Sequence, residues 1–409
     1  MKILYITQFF PPEIGAAANR AFETARLLVE DGFEVTVLTA FPNYLLTRVP
    51  PQYGRRKRAL HENCEGIHTV RTYIYVSKNP HSLVLRLFAF LTFMISSLWQ
   101  GLRLKRYDAI LVTSPPLSLG VTAYALSTLK RIPYVFEVRD LYPESAIQLG
   151  VIRNRFIIGV TSCLARFFYR NACHVVAATG GIRDHLEAEG VERDVTVLTT
   201  GVDLSLFRPV SVDESIREKF NLRGKFNVTF IGIFGRMHAL RTILDAAALL
   251  TAHGAIQFTF IGDGVQRESL MSAARQRDLT NVQFFPPQPR EIVPQIINAS
   301  DVCLDSRIGI GLSEGTIPVK VVEYMACGKP TVIGITGETG ELINHSRAGV
   351  VVEPENPVSM VTAILSLYED EDERERMGRD GRNYALRHFD RVEVVKELEH
   401  ILLNICRRT

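Results

Sequence analysis

The sequence predicts an α/β fold made of two doubly wound, Rossmann-like domains. In both halves, short apolar runs alternate with longer stretches of helical periodicity, which is typical of parallel sheets covered by helices. The 409 residues exceed the length that one hydrophobic core usually supports. Each half also has a strand followed by a glycine turn, at Gly15 and at Gly232. Because ligands bind beyond the carboxyl ends of such strands, we expect the domains to face each other across a cleft.

The first half is predicted from its apolar runs and from the amphipathic segments between them. Buried parallel strands are expected at residues 3–7, 35–39, 109–113, 134–138 and 174–178. Helices are expected at residues 19–31, 83–100 and 117–129. Strands that alternate with helices in this way predict one doubly wound domain.

The second half repeats the same alternation. Its strands are expected at residues 227–231, 257–261, 282–285, 302–305, 331–333 and 350–352. Its helices are expected at residues 241–252, 267–277, 291–299, 320–326 and 358–367. We therefore place the domains at residues 1–205 and 206–385, followed by a C-terminal helix in residues 386–409 that returns to the first domain.

Charge is distributed unevenly between the halves. Residues 1–200 contain 23 Lys or Arg and 16 Asp or Glu, a net charge of +7, whereas the remainder contains 24 and 28, a net charge of −4. This asymmetry indicates an anionic partner for the first half, although a solvated surface alone produces similar patterns.

The segment from Leu83 to Trp99 contains 13 apolar residues among its 17. A buried core helix and an amphipathic helix inserted shallowly into lipid both fit this composition. A membrane-spanning helix is disfavoured, because it needs about 20 apolar residues and tolerates a charge such as Arg86 poorly.

A basic tetrad, Arg55, Arg56, Lys57 and Arg58, lies in a predicted loop of the same half. Together with the segment Leu83–Trp99, it favours an anionic membrane surface as a partner. The six cysteines lack metal-binding spacing, and the apolar N-terminus is too short for a secretory signal. We expect a cytoplasmic protein that is peripheral on the inner face of the plasma membrane.

Two function classes are disfavoured by missing motifs. The sequence has neither G-x-x-x-x-G-K-[ST] nor a complete G-x-G-x-x-G, which disfavours a P-loop ATPase and an NAD-binding fold. Nucleic acid is not an expected partner, because the basic residues are not interleaved with stacking aromatic residues.

Two stretches of the second half suit a nucleotide. Residues 231–238 have two glycines, Arg236 and His238 before a predicted helix, a pattern suited to phosphates. In residues 315–330, a helix that begins near Lys320 provides a second phosphate site, and Glu323 on the same face can accept two ribose hydroxyls. A surface ion pair between Lys320 and Glu323 is the alternative interpretation.

The order Ile-Pro-x-Lys-x-x-Glu-Tyr-Met-Ala-x-Gly-Lys-Pro in residues 317–330 resembles the retaining nucleotide-sugar glycosyltransferases of family 4, which have the GT-B fold. Further similar motifs are FIGDG at 260–264, GETGELI at 337–343, QFFPPE at 8–13, SPP at 114–116 and EVRDLYPE at 137–144. The resemblance covers nearly the whole chain and is strongest to the branch with the fucosamine-type transferases of bacterial surface-polysaccharide assembly.

This resemblance implies a hexosyltransferase-type enzyme. It would move an N-acetylated hexose or 6-deoxyhexose, with retention, from a UDP-type donor on the second domain to a polyprenyl-diphosphate-linked saccharide on the first. The implied donor-binding residues are Gly15, Gly235, His238, Gly262, Asp263, Glu314, Gly315, Thr316, Ile317 and Glu323. The implied acceptor-binding residues are Ala16, Asn19, Ser114 and Glu144.

The donor motif departs from the family pattern at its cations. The usual phosphate-binding Arg and Lys fall at Ile233 and His238, so we assign their role to Arg236 and Lys320. A second departure concerns two glutamates that the family spaces by seven residues. Gly315 occupies the first position, and Glu314 lies one residue before it, so we expect backbone groups around them to contact the sugar.

At the acceptor site, Arg139-Asp140 stands where many family members have His-Asp. In retaining transfer the leaving phosphate can deprotonate the acceptor hydroxyl, which leaves Asp140 and Arg139 to position it. Arg236 and Lys320 are expected to stabilise the charge on the leaving diphosphate. No metal and no other cofactor is expected, and the acidic run at 369–373 is interpreted as solvated charge.

Two other functions are kept as alternatives. A nucleotide-sugar 2-epimerase has a fold that resembles this one and would use the same donor site. Such an epimerase has no need for a lipid-facing helix. An inactive sugar-nucleotide-binding scaffold is consistent with the missing Arg and Lys pair, whereas Lys320, Glu323 and Asp140 favour an active enzyme.

Overall fold

The computed structural model describes residues 1–13, 15–43, 49–54, 59–77, 83–148, 150–191, 194–309 and 315–407. The chain divides into two compact units. The first unit comprises Met1–Thr199 together with Val392–Thr409, and the second comprises Thr200–Arg391. These limits lie a few residues from the boundaries expected at 205 and 385, and the C-terminal segment belongs to the first unit.

The first unit is an α/β sheet domain. Its strands are β1 (Lys2–Ile6), β2 (Glu34–Ala40), β3 (Leu60–Cys64), β4 (Ile67–Thr72), β5 (Ala109–Ser114), β6 (Tyr134–Val138), β7 (His174–Ala177) and β8 (Val195–Val197). Its helices are α1 (Ala16–Glu30), α2 (Pro51–Gly54), α3 (Leu83–Arg103), α4 (Leu119–Lys130), α5 (Glu144–Gln148), α6 (Arg155–Asn171), α7 (Gly180–Ala188) and, at the C-terminus, α16 (Arg391–Arg407).

The eight strands form one sheet in the order β3-β4-β2-β1-β5-β6-β7-β8. Every neighbouring pair is parallel except β3 and β4, which form an antiparallel hairpin at one edge. The order reverses beside β1, whose Ile3 pairs with Val35 of β2 and with Ala109 of β5. The five predicted strands are confirmed, whereas β3, β4 and β8 were not predicted.

Side chains of β1 alternate between two cores. Ile3 and Tyr5 pack in the core that includes residues of α1 and α16. Leu4 and Ile6 pack in the core that includes residues of α3, α4 and α6. Because both faces are covered by helices, β1 is apolar almost throughout, which explains why it was recognisable in the sequence.

Helix α3 corrects one interpretation of the segment Leu83–Trp99. Among residues 84–103 of α3, Phe93, Ser97 and Gly101 are the buried ones, and they form one face of the helix. Trp99 on the opposite face is 59% exposed. The interpretation as a buried core helix is therefore wrong, because the sheet and α4 cover only one side of it.

Residues 84–103 form the one helix in the described part of the chain that is long and apolar enough to cross a membrane, judged by length and composition alone. The basic tetrad Arg55–Arg58 lies outside the described residues. Just before it, residues 51–54 form the helical turn α2, whereas a loop was expected there.

The second unit contains six strands and the remaining helices. Its strands are β9 (Phe226–Ile231), β10 (Ile256–Ile261), β11 (Val282–Phe285), β12 (Val302–Ser306), β13 (Thr331–Gly334) and β14 (Gly349–Val351). Its described helices are α8 (Glu214–Lys219), α9 (Leu240–Leu249), α10 (Arg267–Gln276), α11 (Val293–Ala299), α12 (Val319–Ala326), α13 (Glu338–Ser346), α14 (Pro357–Glu369) and α15 (Glu371–His388).

The second sheet has the order β11-β10-β9-β12-β13-β14, and all its pairs are parallel. This is the strand order of a Rossmann fold, and all six predicted strands are confirmed. One core joins β9 and β10 to α9 and α14, and a second joins β12 and β13 to α12. The order reverses between β9 and β12, so this unit also has a switch point.

A carboxyl pair ties α16 to the end of α1. Burial and the neighbouring carboxyl group of Asp31 raise the pKa of Glu399 in α16 to about 7. When folding raises the pKa of a carboxyl group, the group stabilises the folded protein fully at pH values below its ordinary pKa of about 4.3. This stabilisation is lost as the pH rises through the folded-state pKa of about 7. Ionised Glu399 therefore weakens the attachment of α16 in alkaline solution.

We expect Glu399→Gln to raise Tm by about 1 to 3 °C near pH 8.5 and to leave it unchanged near pH 4. Glutamine keeps the shape of the side chain but cannot ionise beside Asp31. The measurement is thermal unfolding of both proteins across this pH range, with exposed Glu397→Gln as the matched control. An equal gain at both pH values would contradict the carboxyl-pair explanation.

Candidate active site

The candidate donor site lies at the switch point of the second unit. Here β9 ends at Ile231 and β12 ends at Ser306, and the chain leaves the two neighbouring strands toward opposite sides. Residues 232–239 connect β9 to α9. Ala239 N donates a hydrogen bond of 3.0 Å to Ser306 O, which ties this connection to the end of β12.

The glycine turns after β9 and β10 approach each other closely at the carboxyl edge of the sheet, because their glycines have no side chains. Gly262 has φ +146°, and a Cβ atom there would lie 1.8 Å from Gly232 O. Gly264 has φ +149°, and its Cβ atom would lie 2.7 Å from Phe234 O. Phe234 N donates to Asp263 O at 2.8 Å, so the loops after β9 and β10 are joined through their backbones. Glycine at 262 and 264 is therefore required for this packing.

A buried carboxylate, Asp305, organises the charges at the end of β12. Its Oδ1 lies 3.3 Å from Lys320 Nζ and 3.3 Å from His238 Nδ1. Ser306 N also donates to Oδ1, at 3.1 Å. Burial opposes ionisation, but Lys320 and His238 hold the pKa of Asp305 well below its ordinary value. Asp305 is therefore an anion at neutral pH.

The two cationic candidates beside Asp305 differ in charge. Burial, reinforced by the charge of Lys320, lowers the pKa of His238, so this side chain is neutral at pH 7. Burial also lowers the pKa of Lys320, but Asp305 opposes that effect. Lys320 consequently supplies the positive charge of this cluster, and His238 serves as a hydrogen-bonding group.

Lys320 reaches the glycine turn at the end of β9. Its Nζ lies 4.0 Å from the centre of the Phe230 ring, and it would lie 2.7 Å from a Cβ atom placed on Gly232. The structure thus brings the predicted phosphate-binding lysine of α12 to the turn that was predicted to hold phosphates. Its side chain is only 13% exposed, so it is not a surface residue paired with Glu323.

Glu323 lies one turn further along α12 and is paired with an arginine that the sequence did not point to. Arg290 Nη1 lies 3.5 Å from Glu323 Oε1, and the Arg290 guanidinium lies 5.0 Å from the Phe207 ring centre. The Glu323 side chain is 14% exposed. This ion pair fixes the position of the Glu323 carboxylate, a group that can accept hydrogen bonds from hydroxyl groups.

The segment before α12 is fixed through its backbone and through Thr316. Arg307 Nη1 donates to Thr316 Oγ1 at 2.6 Å, and Thr339 Oγ1 donates to Thr316 O at 2.5 Å. Gly315 and Ile317 flank Thr316 and are half-buried. Glu314, which was predicted to lie beside the sugar, falls outside the described residues.

The remaining predicted donor residues are more exposed. Arg236 is exposed to solvent, two residues before His238 in the connection after β9. His238 N donates to Gly235 O at 3.0 Å, which closes the turn that contains Arg236. Asp263 is also exposed, and its Oδ1 accepts a hydrogen bond of 2.8 Å from Gly264 N.

The first unit has its own polar cluster at the carboxyl ends of β5 and β6. Arg139 forms an ion pair with Glu137, the carboxylate of which is almost fully buried. Burial opposes ionisation, but Arg139 and then Arg20 of α1 hold the pKa of Glu137 below its ordinary value. Arg139 N donates to Ser114 O at 3.0 Å. Arg139, a predicted catalytic residue, is thus bound to Glu137 and to the end of β5.

The predicted acceptor carboxylates, Asp140 and Glu144, follow β6 in the chain. Burial first, and then the charges of Glu144 and Asp140, raise the pKa of Tyr169 in α6. Glu144 Oε1 lies 4.0 Å from His185 Nε2 of α7. Asp140 and Glu144 both lie close enough to Tyr169 for their charges to raise its pKa.

The glycine turn after β1 holds the remaining predicted acceptor residues. Gly15 has φ +155° and precedes α1, which begins at Ala16. Asn19 N donates to Gly15 O at 3.0 Å and continues the first helical turn. Ala16 and Asn19 thus lie beyond the carboxyl end of β1, and Ser114 is the last residue of β5, at the switch point of the first sheet.

Three site residues were missed in the sequence: Asp305, Arg307 and Arg290. Asp305 had a usable signal, because it is a charged residue at the carboxyl end of a strand that was predicted to end there. Arg307 follows it by two residues. Arg290 had no comparable signal, since it meets Glu323 through the fold alone.

Two family models match the chain. Residues 15–201 match the glycosyl transferase 4-like domain, and residues 212–384 match the glycosyl transferases group 1. A relative from Escherichia coli, named as the colanic acid biosynthesis glycosyl transferase WcaI, is 28% identical over 381 residues, which cover 89% of this chain and 91% of that protein.

Solved structures share the fold over nearly the full length. Sucrose-phosphate synthase from Thermosynechococcus elongatus superposes with a TM-score of 0.78 and 16% identity, covering 100% of both chains. Anabaena HepE in complex with UDP-glucose gives 0.74 and 19%, covering 99% of this chain and 100% of that one. The predicted GT-B fold is confirmed. The chain belongs to the glycosyltransferases that combine a 4-like domain with a group 1 domain, and it is a hexosyltransferase-type enzyme.

Proposed function

We propose that the enzyme transfers a sugar from a nucleotide diphosphate donor, with retention, to a polyprenyl-diphosphate-linked saccharide during assembly of a surface polysaccharide. The observation that supports this most strongly is the cluster of Lys320, Asp305 and His238 at the glycine turn after β9, with Glu323 one helical turn away. It supplies a fixed cation for phosphate and a held carboxylate for ribose.

Two similar proteins support the proposed class of donor and the proposed pathway. HepE binds UDP-glucose, and a UDP-linked hexose, N-acetylated or 6-deoxy, is accordingly our proposed donor. WcaI is named for colanic acid biosynthesis, which supports our proposal that the product is a precursor of a surface polysaccharide.

The proposed mechanism stabilises the leaving nucleotide diphosphate as its charge grows. Lys320 is held in position by Asp305 before the donor binds, so little reorganisation is needed in the transition state. Exposed Arg236 adds a second cation on the same connection. With these cations we propose transfer without a metal ion.

For the acceptor we propose a positioning role of the first unit. Asp140 and Glu144 accept hydrogen bonds from sugar hydroxyls, and Arg139 is oriented by Glu137. The proton of the attacking hydroxyl passes to the leaving phosphate, so Asp140 is not a nucleophile in this scheme.

We further propose that the enzyme is peripheral on an anionic membrane on the cytoplasmic side. The outer face of α3 supports this, because Phe88, Leu91, Ile95 and Trp99 are between 46% and 59% exposed and Arg103 lies against the Trp99 ring. A lipid-linked acceptor is itself held at such a surface.

The test begins with nucleotide diphosphates and their sugars. A ligand that binds only the native state stabilises it by RT ln(1 + [L]/Kd), about 2.7 kcal/mol at a hundredfold excess over Kd. We expect UDP and one UDP-sugar to raise Tm by several degrees and GDP to have little effect. Stabilisation by none of them would contradict the donor assignment.

The best donor is then incubated with polyprenyl-diphosphate-linked saccharides, with and without EDTA. We expect transfer in both cases, and NMR of the new linkage should show the anomeric configuration of the donor. An inverted linkage would contradict retention, and loss of activity with EDTA would contradict metal independence. Incubation without acceptor tests the alternative, since epimerised sugar would indicate an epimerase.

A further inference from the structure

Helix α6 exposes a row of apolar side chains along its length. These residues recur every three or four positions, as one face of a helix requires. They are Phe156, Ile157, Val160, Leu164 and Phe167, which we call the α6 row, and their exposure lies between 40% and 78%. The opposite face is buried through Ala165, Phe168 and Tyr169. The α6 row is therefore available for a partner outside the first unit.

The α6 row and the outer face of α3 belong to one layer of helices. Helix α4 lies between them: Gly101 of α3 packs against Leu126 of α4, and the Tyr124 ring of α4 lies 4.7 Å from the Phe167 ring of α6. All three helices pack on the face of the sheet that carries Leu4 and Ile6 of β1, so they lie over the same face. Phe93 of α3 and Phe168 of α6 pack in the same core, and the exposed row of each helix lies on the face away from that core.

The charge of this layer has one sign. Helices α3, α4 and α6 contain six Lys or Arg residues and no Asp or Glu. Arg153 and Arg155 are exposed at the beginning of α6, and Arg103 lies 4.1 Å from the Trp99 ring on α3. Arg166 of α6 forms an ion pair with Glu189 at 3.5 Å.

We infer that α6 is a second membrane-docking helix, and that the α6 row and the outer face of α3 together contact a bilayer that contains anionic lipid. This inference rests on the peripheral location that we propose above. Apolar side chains enter the boundary between headgroups and acyl chains, while the arginines at the helix ends bind lipid phosphates. Two parallel helices fix the orientation of the first unit on the membrane, which a single helix cannot do.

Charge favours a lipid surface over a second copy of the chain. In a two-fold dimer through this face, the same basic residues would meet each other without acidic partners from α3, α4 or α6. Anionic headgroups provide the complementary charge, and apolar rows beside basic residues are typical of interfacial helices.

The test uses Trp99, the only tryptophan of the chain, as a fluorescent reporter on α3. The α6 variant combines Phe156→Ser, Val160→Ser and Leu164→Ser and leaves Trp99 unchanged. Vesicles of phosphatidylcholine, with and without phosphatidylglycerol, are titrated while Trp99 emission is followed. We expect a blue shift with the anionic vesicles, and roughly tenfold weaker vesicle binding by the α6 variant.

A matched control variant removes three similarly exposed apolar side chains of the second unit: Leu249→Ser, Val358→Ser and Leu386→Ser, which are 46% to 62% exposed. Its vesicle binding should equal that of the unchanged protein. Thermal unfolding of both variants verifies that they fold. If the α6 variant binds vesicles as tightly as the control, the inference is overturned.

An α3 variant, Phe88→Ser with Leu91→Ser and Ile95→Ser, separates this inference from the proposed function. Loss of binding in the α3 variant alone would overturn the role of α6 and leave the peripheral location standing. No vesicle binding by the unchanged protein would overturn both. A dimer that the α6 variant dissociates, with vesicle binding unchanged, would show that a second copy covers this face.

A tryptophan on α6 reports the contact directly. In a Trp99→Phe background, Phe156→Trp places the only tryptophan at the 78% exposed position of α6. We expect its emission to shift to the blue with anionic vesicles and to be quenched by brominated acyl chains. If the protein binds the vesicles and the emission of this tryptophan does not change, the inference is overturned.

Discussion

Replacing Lys320 with alanine is expected to lower kcat for sugar transfer by about 100- to 1,000-fold. Removal of one preorganised charge that stabilises a developing anion typically has an effect of this size. Lys320 Nζ lies at the glycine turn after β9, where we propose the leaving diphosphate, and Asp305 holds it there. The measurement is donor consumption under saturating acceptor, which reports kcat separately from KM.

The structure also predicts a stability cost for this variant. Alanine at 320 leaves the buried Asp305 carboxylate without its main counter-ion, and breaking a buried pair costs about 3–5 kcal/mol. His238, 3.3 Å away, would partly compensate by protonation, because the charge of Lys320 that lowers its pKa would be gone.

A double variant separates catalysis from folding. Lys320→Met with Asp305→Asn removes both charges while keeping the volume, and we expect its Tm to be closer to that of the unchanged protein than the Tm of Lys320→Ala. Its kcat should still be reduced as strongly as in Lys320→Ala. Near-normal transfer by the double variant would falsify the phosphate role of Lys320.

The strands of the second sheet were predictable because most have helices on both faces. Residues 257–261, for example, read QFTFI, and the whole of β10 is buried. A strand of this kind is a continuous run of aromatic and β-branched residues, which few other structures produce. The Rossmann order then follows from the alternation of strands and helices.

The elements that were missed have weaker patterns for physical reasons. Strand β3 reads LHENC and alternates half-buried with exposed residues, since it is the edge of the sheet and only one face packs. Helix α6 had a usable signal that was overlooked: Asn154 Oδ1 accepts a hydrogen bond of 2.9 Å from Phe156 N and caps the helix.

In the candidate site, the sequence pointed to residues but not to their partners. Lys320 and Glu323 were recognisable from the helix that begins after Pro318. Their pairing with Asp305 and Arg290 depends on how β12, α12 and the segment after β11 pack, and neither interaction is visible as a spacing. For this reason the sequence left open a pair between Lys320 and Glu323, which the structure replaces with two separate ion pairs.

Glu323→Ala is expected to weaken binding of UDP by about 10- to 100-fold, because hydrogen bonds to a charged group contribute about 1.5–3 kcal/mol each. Since Arg290 would keep its contact with Phe207, we expect the fold around α12 to persist. Isothermal titration with UDP measures the loss, and Glu341→Ala, an exposed carboxylate of α13, is the matched control.

The decisive comparison is between UDP and 2′-deoxy-UDP. The unchanged protein should bind UDP more tightly, because Glu323 can accept the 2′-hydroxyl that the deoxy compound lacks. In Glu323→Ala that preference should disappear, while Glu323→Gln, which retains one acceptor oxygen, should keep part of it. A general disturbance of the site would weaken both nucleotides and leave their ratio unchanged. If Glu323→Ala still discriminates between them to the full extent, another group binds the ribose, and Glu323 serves only to hold Arg290 in place.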